Sequence, residues 1–570
     1  MRKMGIKLPL GIDSFRKLRT SNCYYIDKTG FIEELLEEIF SVNLITRPRR
    51  FGKTLTMSML SEFFDIRKDS RSIFNGLQIT HCTDLCRQWM NQWPVLFLTL
   101  KDIQGSTFEE AFELLQFAVS SLCMEHDYLE SSEKIKNADR KIFTRLLNQE
   151  GTRSDIKTSL VVLTRMMEAH YGKPVILLID EYDVPLAKAS DNGYYEPMLN
   201  IIRSFLGMAW KTNPSLQFAV ITGCLRIAKE SIFTGANNFV SRSISDIWYN
   251  RFFGFSEQEV TCLLQHIKPE KPLNESKAFS DIKRWYDGYL FGGFEIYCPW
   301  DVINHVNMLQ KDPDASPSSY WKDTSHNQII RRFIDRKDIS VNDKFEILLS
   351  GNTIQEPVSE DLTYDFDQSS EKNLWSILYL TGYLTQASPG SFPEGFCPEE
   401  GKTVLRIPNE EVKTIFAETV AKWFTDTIAS RDRTALFQAW WSGDAKALTQ
   451  ELTDILFTTI SYFDYREDYY HAFTAGLFTG AGYEVTSNSE LGTGRADILV
   501  KDRKNRRAII IETKRSRREA HMPNDCLSAL KQIRQRQYAD GLLKGYRTIL
   551  CYGAAFWGKK CLIEHEILRV

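Results

Sequence analysis

Two apolar runs that each end in chemistry-bearing residues constrain this chain most. From Asn43 to Leu60 a short apolar strand leads into Gly52-Lys53-Thr54 and then into an amphipathic helix. From Pro174 to Asp183 a second apolar run ends in Asp180-Glu181, and a third, Leu216 to Gly223, is continuously hydrophobic. Strands with no polar alternation are those of a parallel sheet covered on both faces. The pattern therefore predicts an α/β core of buried parallel strands with helices between them.

A glycine-lysine turn at a strand-to-helix junction aims backbone N–H groups and a helix N-terminus at phosphate. Lys53 is then placed for the β and γ oxygens and the Thr54 hydroxyl for magnesium. The general phosphate-loop pattern has glycine at position 47, where this chain has Arg47. A Gly-Lys-Thr triplet alone is commonly a solvated turn, and Asp-Glu at a strand end is commonly a solvated acidic edge. In this order the two reinforce each other: Asp180 to hold magnesium, directly or through water, and Glu181 to polarise the attacking water. Hydrolysis also calls for a positive group on the γ-phosphate. Arg226, just beyond the third strand, is the candidate, although a surface arginine there is an equal reading. The expected nucleotide-binding set is Arg47, Arg49, Arg50, Phe51, Gly52, Lys53, Thr54, Leu55, Asp180 and Arg226, with ATP and Mg²⁺ as ligands.

At 570 residues the chain is too long for one hydrophobic core. Three regions are expected: 1–254, a phosphate-loop NTPase domain; 255–460, helical and winged-helix-like; and 461–570, a small α/β domain. The middle region has helical periodicity with aromatic-rich turns, and its Pro- and Gly-rich stretch Ser388 to Thr403 reads as an exposed loop or wing. The opening residues have no apolar run long enough for a signal peptide, and no later segment approaches the length of a membrane span. A cytoplasmic protein without a membrane partner is expected. Among 11 cysteines, Cys82 and Cys86 lack a second ligand pair nearby, so free thiols in a reducing compartment are expected. The net charge of −3 provides no global basic field, so contact with a polyanion must come from local patches.

The last region offers one. Asp497 opens one apolar strand, and Glu512 and Lys514 end the next. With a side-chain period of two, Glu512 and Lys514 share a face, and a suitable hairpin register brings Asp497 beside them. Two carboxylates with a lysine can hold Mg²⁺ on a scissile phosphate and orient water, which is phosphodiester hydrolysis. The pattern is short, so its context carries the weight: the charges sit at the end of a fully apolar strand, where unpaired charge is costly. Lys501, Arg503, Lys504, Arg506, Arg507, Arg515, Arg517, Arg518, Lys531, Arg534 and Arg536 surround the triad as candidate backbone-phosphate contacts, with little base specificity expected. Basic runs are otherwise solvated turns.

The run from Leu8 to Phe255, including RPRRFGKT, LLIDEYDVPL and ITGCLRIAKESIFTGANNF, resembles the bacterial AAA-ATPase-like family. In that family arginine stands where Arg47 does, which implies the usual roles for Lys53, Thr54, Asp180 and Glu181. The resemblance also suggests that Tyr24 to Gly30 lies near the nucleotide, and that the arm from GFSEQEV onward closes over it and reports its state. From Asp464 to Val570 the chain resembles the PD-(D/E)XK nuclease superfamily, implying a restriction-endonuclease-like α/β fold. The match includes Gly492, Gly494 and Arg495, and Gln532 and Tyr538 on the following helix, with Gln532 an accessory group at the site and Tyr538 a second candidate. Ala496 replaces the customary proline without removing a ligand. Glu467 on the preceding helix is a candidate further metal ligand, with Asp468 competing for that role.

Together these readings imply an ATPase that controls a metal-dependent nuclease acting on DNA or RNA, with bacterial defence implied by analogy alone. The alternative is a signalling or scaffold ATPase whose C-terminal fold binds nucleic acid or protein without cleaving. A homo-oligomer, with an arginine supplied by a neighbouring subunit, is left open.

Overall fold

The computed structural model describes residues 6–569 apart from 39, 212, 228–231, 234–238, 268, 270–271, 322–343, 346, 361, 363, 365–370, 389, 391, 393–395, 420–433, 458–469, 471–472, 476, 479–480, 492–493, 544 and 559. The chain gathers into two compact units: residues 1–325 with 355–414, and residues 326–354 with 415–570. The helical text beginning at residue 255 thus packs in the same unit as the phosphate loop.

The first unit is built on five strands, β1 (Val42–Thr46), β2 (Val95–Thr99), β3 (Val175–Asp180), β4 (Leu216–Gly223) and β5 (Phe239–Arg242), in the order β2-β3-β4-β1-β5. Every neighbouring pair is parallel. The three strands foreseen from apolar runs are β1, β3 and β4, adjacent in the sheet, and β2 and β5 complete it at the edges. Parallel strands must be joined by crossovers, supplied here by helices such as Phe108–Met124, Arg153–Tyr171 and Tyr195–Trp210. Arg153–Tyr171 starts with a capping box, Thr152 and Asp155 each satisfying the other's backbone N–H. The loops after β1, β3 and β4 all leave the carboxyl edge of the sheet, where open α/β sheets bind ligands.

Within the same unit, helices Glu257–His266, Glu275–Tyr286 and Pro299–Lys311 share a core of Val260, Leu263, Ile282, Tyr286, Val302 and Val306. A hairpin of β6 (Tyr289–Phe291) and β7 (Phe294–Ile296) lies between the last two. Helix Glu371–Leu380 and a three-stranded sheet follow, made from β8 (Ile354–Glu356), β9 (Thr385–Gln386) and β10 (Thr403–Arg406) in the order β8-β10-β9. The Pro- and Gly-rich stretch joins the antiparallel pair β9 and β10.

The second unit holds a mixed sheet, β11 (Glu484–Leu491), β12 (Gly494–Asp502), β13 (Arg507–Arg515), β14 (Thr548–Trp557) and β15 (Lys560–Arg569), in sequential order. Only β13 and β14 run parallel, and helix Met522–Gln535 provides their crossover. From Ile498 to Val500 and from Ala508 to Ile511 side chains alternate between the two faces. Ile498, Val500, Ile509 and Ile511 pack with Trp440, Leu448 and Leu452 from helices Thr434–Ser442 and Ala445–Phe457. Leu499, Ala508 and Ile510 pack on the other face with Leu530 and Ile533 of helix Met522–Gln535. Gly553 lets that helix approach: a Cβ there would stand 2.3 Å from the Cys526 carbonyl oxygen. No helix among the described residues is long and apolar enough to cross a membrane.

Candidate nucleotide and nuclease sites

The turn after β1 enters helix Lys53–Phe64 through Gly52, whose φ of 82° is left-handed and favours glycine. Lys53, Thr54 and Leu55 are in the first turn, where backbone N–H groups have no intrahelical acceptor and point out of the helix end. The Thr54 hydroxyl donates to Asp180 Oδ2 at 2.8 Å, and the Thr222 hydroxyl on β4 donates to Asp180 Oδ1 at 2.6 Å. Asp180 is fully buried, and burial first, then the Glu181 charge, raises its carboxyl above the usual range. A buried carboxylate with a threonine hydroxyl on it is a donor set that fits Mg²⁺.

Lys53 is almost wholly buried. Its ammonium donates to the carbonyls of Arg47 and Pro48 at 3.1 and 3.0 Å, and lies 3.3 Å from Glu181 Oε1. Burial opposes its charge, but Cys224, Glu181, Asp183 and Asp180 outweigh that and push the ammonium up, so it stays a cation. Glu181 has φ 55°, a left-handed backbone in a non-glycine residue of the kind that collects at functional sites. Its N–H donates to the Thr222 hydroxyl at 3.3 Å, and its Oε2 has no hydrogen-bond partner among the described residues.

Lys53, Thr54 and Glu181 line a cleft of about 410 Å³, within the range of small-ligand sites. Arg50, Phe51, Gly52 and Leu55 of the same turn line it with them. Leu10, Tyr24, Ile26, Phe255, Trp300 and Ile303 line the same cleft and give it apolar surface suited to a base. Tyr24 and Ile26 come from the segment Tyr24 to Gly30, which the resemblance suggests lies near the nucleotide and to which spacing gives no role. Lys28 of that segment is held by Glu259 on the first arm helix at 2.7 and 2.8 Å.

Other residues of the expected set lie elsewhere. Arg47 is fully buried beneath the loop, donating to the carbonyls of Thr46, Arg242 and Trp248 at 2.8, 3.0 and 3.1 Å. Its guanidinium lies over Phe253 and Phe291, and burial lowers it to about 10. It braces the loop and does not line the cleft. Arg226 lies over the Phe239 ring at 5.7 Å, also outside the cleft lining, so its position does not support the γ-phosphate role. Arg49 is surrounded by Cys224, Tyr364, Glu181 and Asp183, which together outweigh burial and hold its guanidinium charged. Asp183, absent from the expected set, accepts the N–H groups of Cys224 and Leu225 at 2.9 and 3.0 Å and the Tyr364 hydroxyl at 2.9 Å.

In the second unit, the β12–β13 ladder ends at the pair Ile498 and Ile511, and Asp497 and Glu512 are the next residues on the two strands. Glu512 and Lys514 share the face toward helix Met522–Gln535, and Asp497 lies close enough for its charge to act on Glu512. The Lys514 ammonium lies 3.3 Å from Glu512 Oε1, and the Gln532 amide donates to that same oxygen. Glu512 is 1% exposed; burial, then the Asp497 charge, pushes its carboxyl up to about 7. Its Oε2 has no hydrogen-bond partner among the described residues. A buried carboxylate oxygen without a partner, facing a second carboxylate, fits a divalent cation. No cluster of three or more metal-ligating side chains occurs among the described residues, and both Glu467 and Asp468 lie outside them.

Tyr538 is a packing residue, buried with Ala496, Leu499, Ile533 and Leu542. The basic run is partly balanced from within. Arg503 and Lys501 pair with Glu484 at 2.9 and 3.6 Å, Arg507 pairs with Asp502 at 2.8 Å, and Arg534 pairs with Glu566.

Comparison with known proteins agrees with this division. Residues 9–233 match the family model described as predicted AAA-ATPase, and residues 465–566 match that of the PD-(D/E)XK nuclease superfamily. A protein of Azotobacter chroococcum mcd 1, described as "Uncharacterized protein in vnfD 5'region", is 25% identical over 506 residues, covering 87% of each chain.

Proposed function

We propose, from an AAA-ATPase-like region and a PD-(D/E)XK nuclease superfamily region carried on one chain, that this protein binds and hydrolyses ATP and thereby controls cleavage of nucleic acid. The observation that carries the reading is the closeness of Asp497, Glu512 and Lys514 near the end of β13, in a chain whose Thr54 and Asp180 meet at 2.8 Å. A structural role alone does not call for either arrangement, because each leaves a buried carboxylate near a second acid.

In the first unit, Lys53 and the first-turn N–H groups would hold the phosphates, and the apolar lining of the cleft would hold the base. Thr54 and Asp180 would hold Mg²⁺, which neutralises phosphate charge when bound. Glu181 would accept the proton of the attacking water, which requires it to give up Lys53 as phosphate takes the lysine. In the second unit, Asp497 and Glu512 would hold a divalent cation that polarises the scissile phosphate. Lys514 would orient water and balance charge developing on phosphate oxygens. Gln532 holds Glu512 from the helix side.

The arm's grip on the phosphate loop supports nucleotide control. Pro48 packs against Gly382, where a Cβ would stand 2.9 Å away. Arg50 donates to the Tyr320 carbonyl at 2.9 Å and lies over Trp300, while Phe51 meets Tyr289 edge-on at 4.9 Å. A loop that adjusts to phosphate therefore moves against four arm elements at once.

The test separates the two activities. Glu181→Gln should keep nucleotide binding and lose about a hundredfold or more of phosphate release. Lys514→Ala should lose cleavage and keep phosphate release. Cleavage undiminished in Lys514→Ala would leave the second unit as a binding module.

A further inference from the structure

Thr513 is the middle residue of Glu512-Thr513-Lys514 on β13. It is 1% exposed, so its hydroxyl has no water to turn to. Both of its donors go to one atom: the Thr513 N–H and the Thr513 hydroxyl each donate to Asp497 Oδ2 at 2.8 Å.

The register explains why. The β12–β13 ladder ends at Ile498 and Ile511, and one step further the two strands no longer pair. There the Asp497 carboxylate enters the gap and accepts the N–H that a main-chain carbonyl would otherwise take. Thr513 itself cannot shift to follow the carboxylate, because β13 remains paired with β14 through Arg515 and Phe556. The carboxylate plane of Asp497 is therefore set by a residue fixed in the centre of the sheet. On the opposite strand Glu512 is constrained in the same manner, with Oε1 tied by Lys514 and Gln532 and Oε2 left without a partner.

We propose that Thr513 is a positioning residue, which commits one oxygen of Asp497 so that the carboxylate is presented to a divalent cation shared with Glu512. The proposal rests on the nuclease reading of this site. Hydrogen bonds to a charged group contribute more than those between neutral groups, and the hydroxyl is one of two such bonds on Oδ2. Valine has nearly the shape of threonine, so Thr513→Val removes the hydroxyl without opening a cavity, and Thr513→Ser restores it.

The experiment is calorimetric titration of the full chain with Mn²⁺, without nucleotide, in wild type, Thr513→Val, Thr513→Ser and Asp497→Ala, with melting curves beside it. Wild type should show a binding event that Asp497→Ala abolishes. Thr513→Val should weaken it about tenfold without lowering the melting temperature by more than a few degrees, and Thr513→Ser should stay close to wild type. If Thr513→Val binds Mn²⁺ as wild type does, Thr513 has no positioning role and the nuclease reading stands. If wild type shows no Asp497-dependent binding, that reading fails and this proposal with it.

Discussion

Arg50 lines the nucleotide cleft, yet its guanidinium rests on Trp300 with two acids buried behind it. Asp301 and Glu411 are both fully buried, on helix Pro299–Lys311 and in the segment after β10. Burial foremost raises both, with Asp301 adding to Glu411, which goes up to about 9. Arg50 is the cation that faces them, and Cys298, Tyr286, Tyr289, Tyr320 and Tyr383 are the other titratable groups around. A carboxyl whose folded value lies above its unfolded value keeps its proton when folded and loses it when unfolded. Its contribution is thus full at acid pH and is lost as pH rises from about 5 toward 9, at up to about 1.4 kcal/mol per unit. Glu411→Gln mimics the protonated acid and keeps the acceptor for the Trp321 N–H. It should melt above wild type at pH 8 and level with it near pH 5, as differential scanning calorimetry would show; an equal gap at both values would mean that Glu411 is ionised in the fold.

The same scale shows what sequence could and could not tell about the sites. The places of Lys53 and Thr54 at a helix start, and of Asp180, Glu512 and Lys514 toward strand ends, were legible from spacing and apolar runs. Arg47 was not: an arginine in a phosphate loop reads as a phosphate ligand, and only the carbonyls of Arg242 and Trp248, far away in sequence, reveal it as a brace. Arg226 and Tyr538 mislead for a related reason. Spacing places a residue just past a strand or helix, but the direction in which the following chain turns is settled by packing, here against Phe239 and against the Ile533 cluster.

Among the elements, helix Met522–Gln535 is the one on which the second site depends, since it brings Gln532 to Glu512. Its seating on β14 requires Gly553, which pairs in register with Glu512. A methyl group there meets the Cys526 carbonyl at 2.3 Å, with Leu530 and Ala529 close behind, so the helix must lift. Overpacking of this kind costs about 1–3 kcal/mol. Gly553→Ala should therefore lose at least about tenfold in cleavage while phosphate release remains unchanged; unaltered cleavage would show that the helix does not position the site. Strand legibility follows burial. β1, β3, β4, β12 and β13 are continuous apolar runs, whereas β5, β11 and β15 are edge strands whose polar residues resemble loop text. β2 is internal to no pattern visible from sequence: its five residues follow Pro94 without the acids that mark β3.

At the scale of the molecule, the arm is folded into the ATPase-like unit, holding Arg50, Phe51 and Pro48 from outside while Tyr364 reaches Asp183. Sequence texture divides the chain by composition, and a boundary at residue 254 follows from the change to helical periodicity. Compactness follows contacts, and those run from the phosphate loop straight into the arm. On the proposed function, nucleotide bound at the phosphate loop would act on the whole first unit, and the central claim is that cleavage by the second unit depends on it. The direct measurement is cleavage of labelled single- and double-stranded DNA and RNA by the full chain in Mg²⁺, with and without ATP, beside Lys53→Ala. ATP should change the cleavage rate of wild type severalfold or more and leave that of Lys53→Ala unchanged. Cleavage at one rate in all four conditions would contradict nucleotide control and leave two independent activities on one chain.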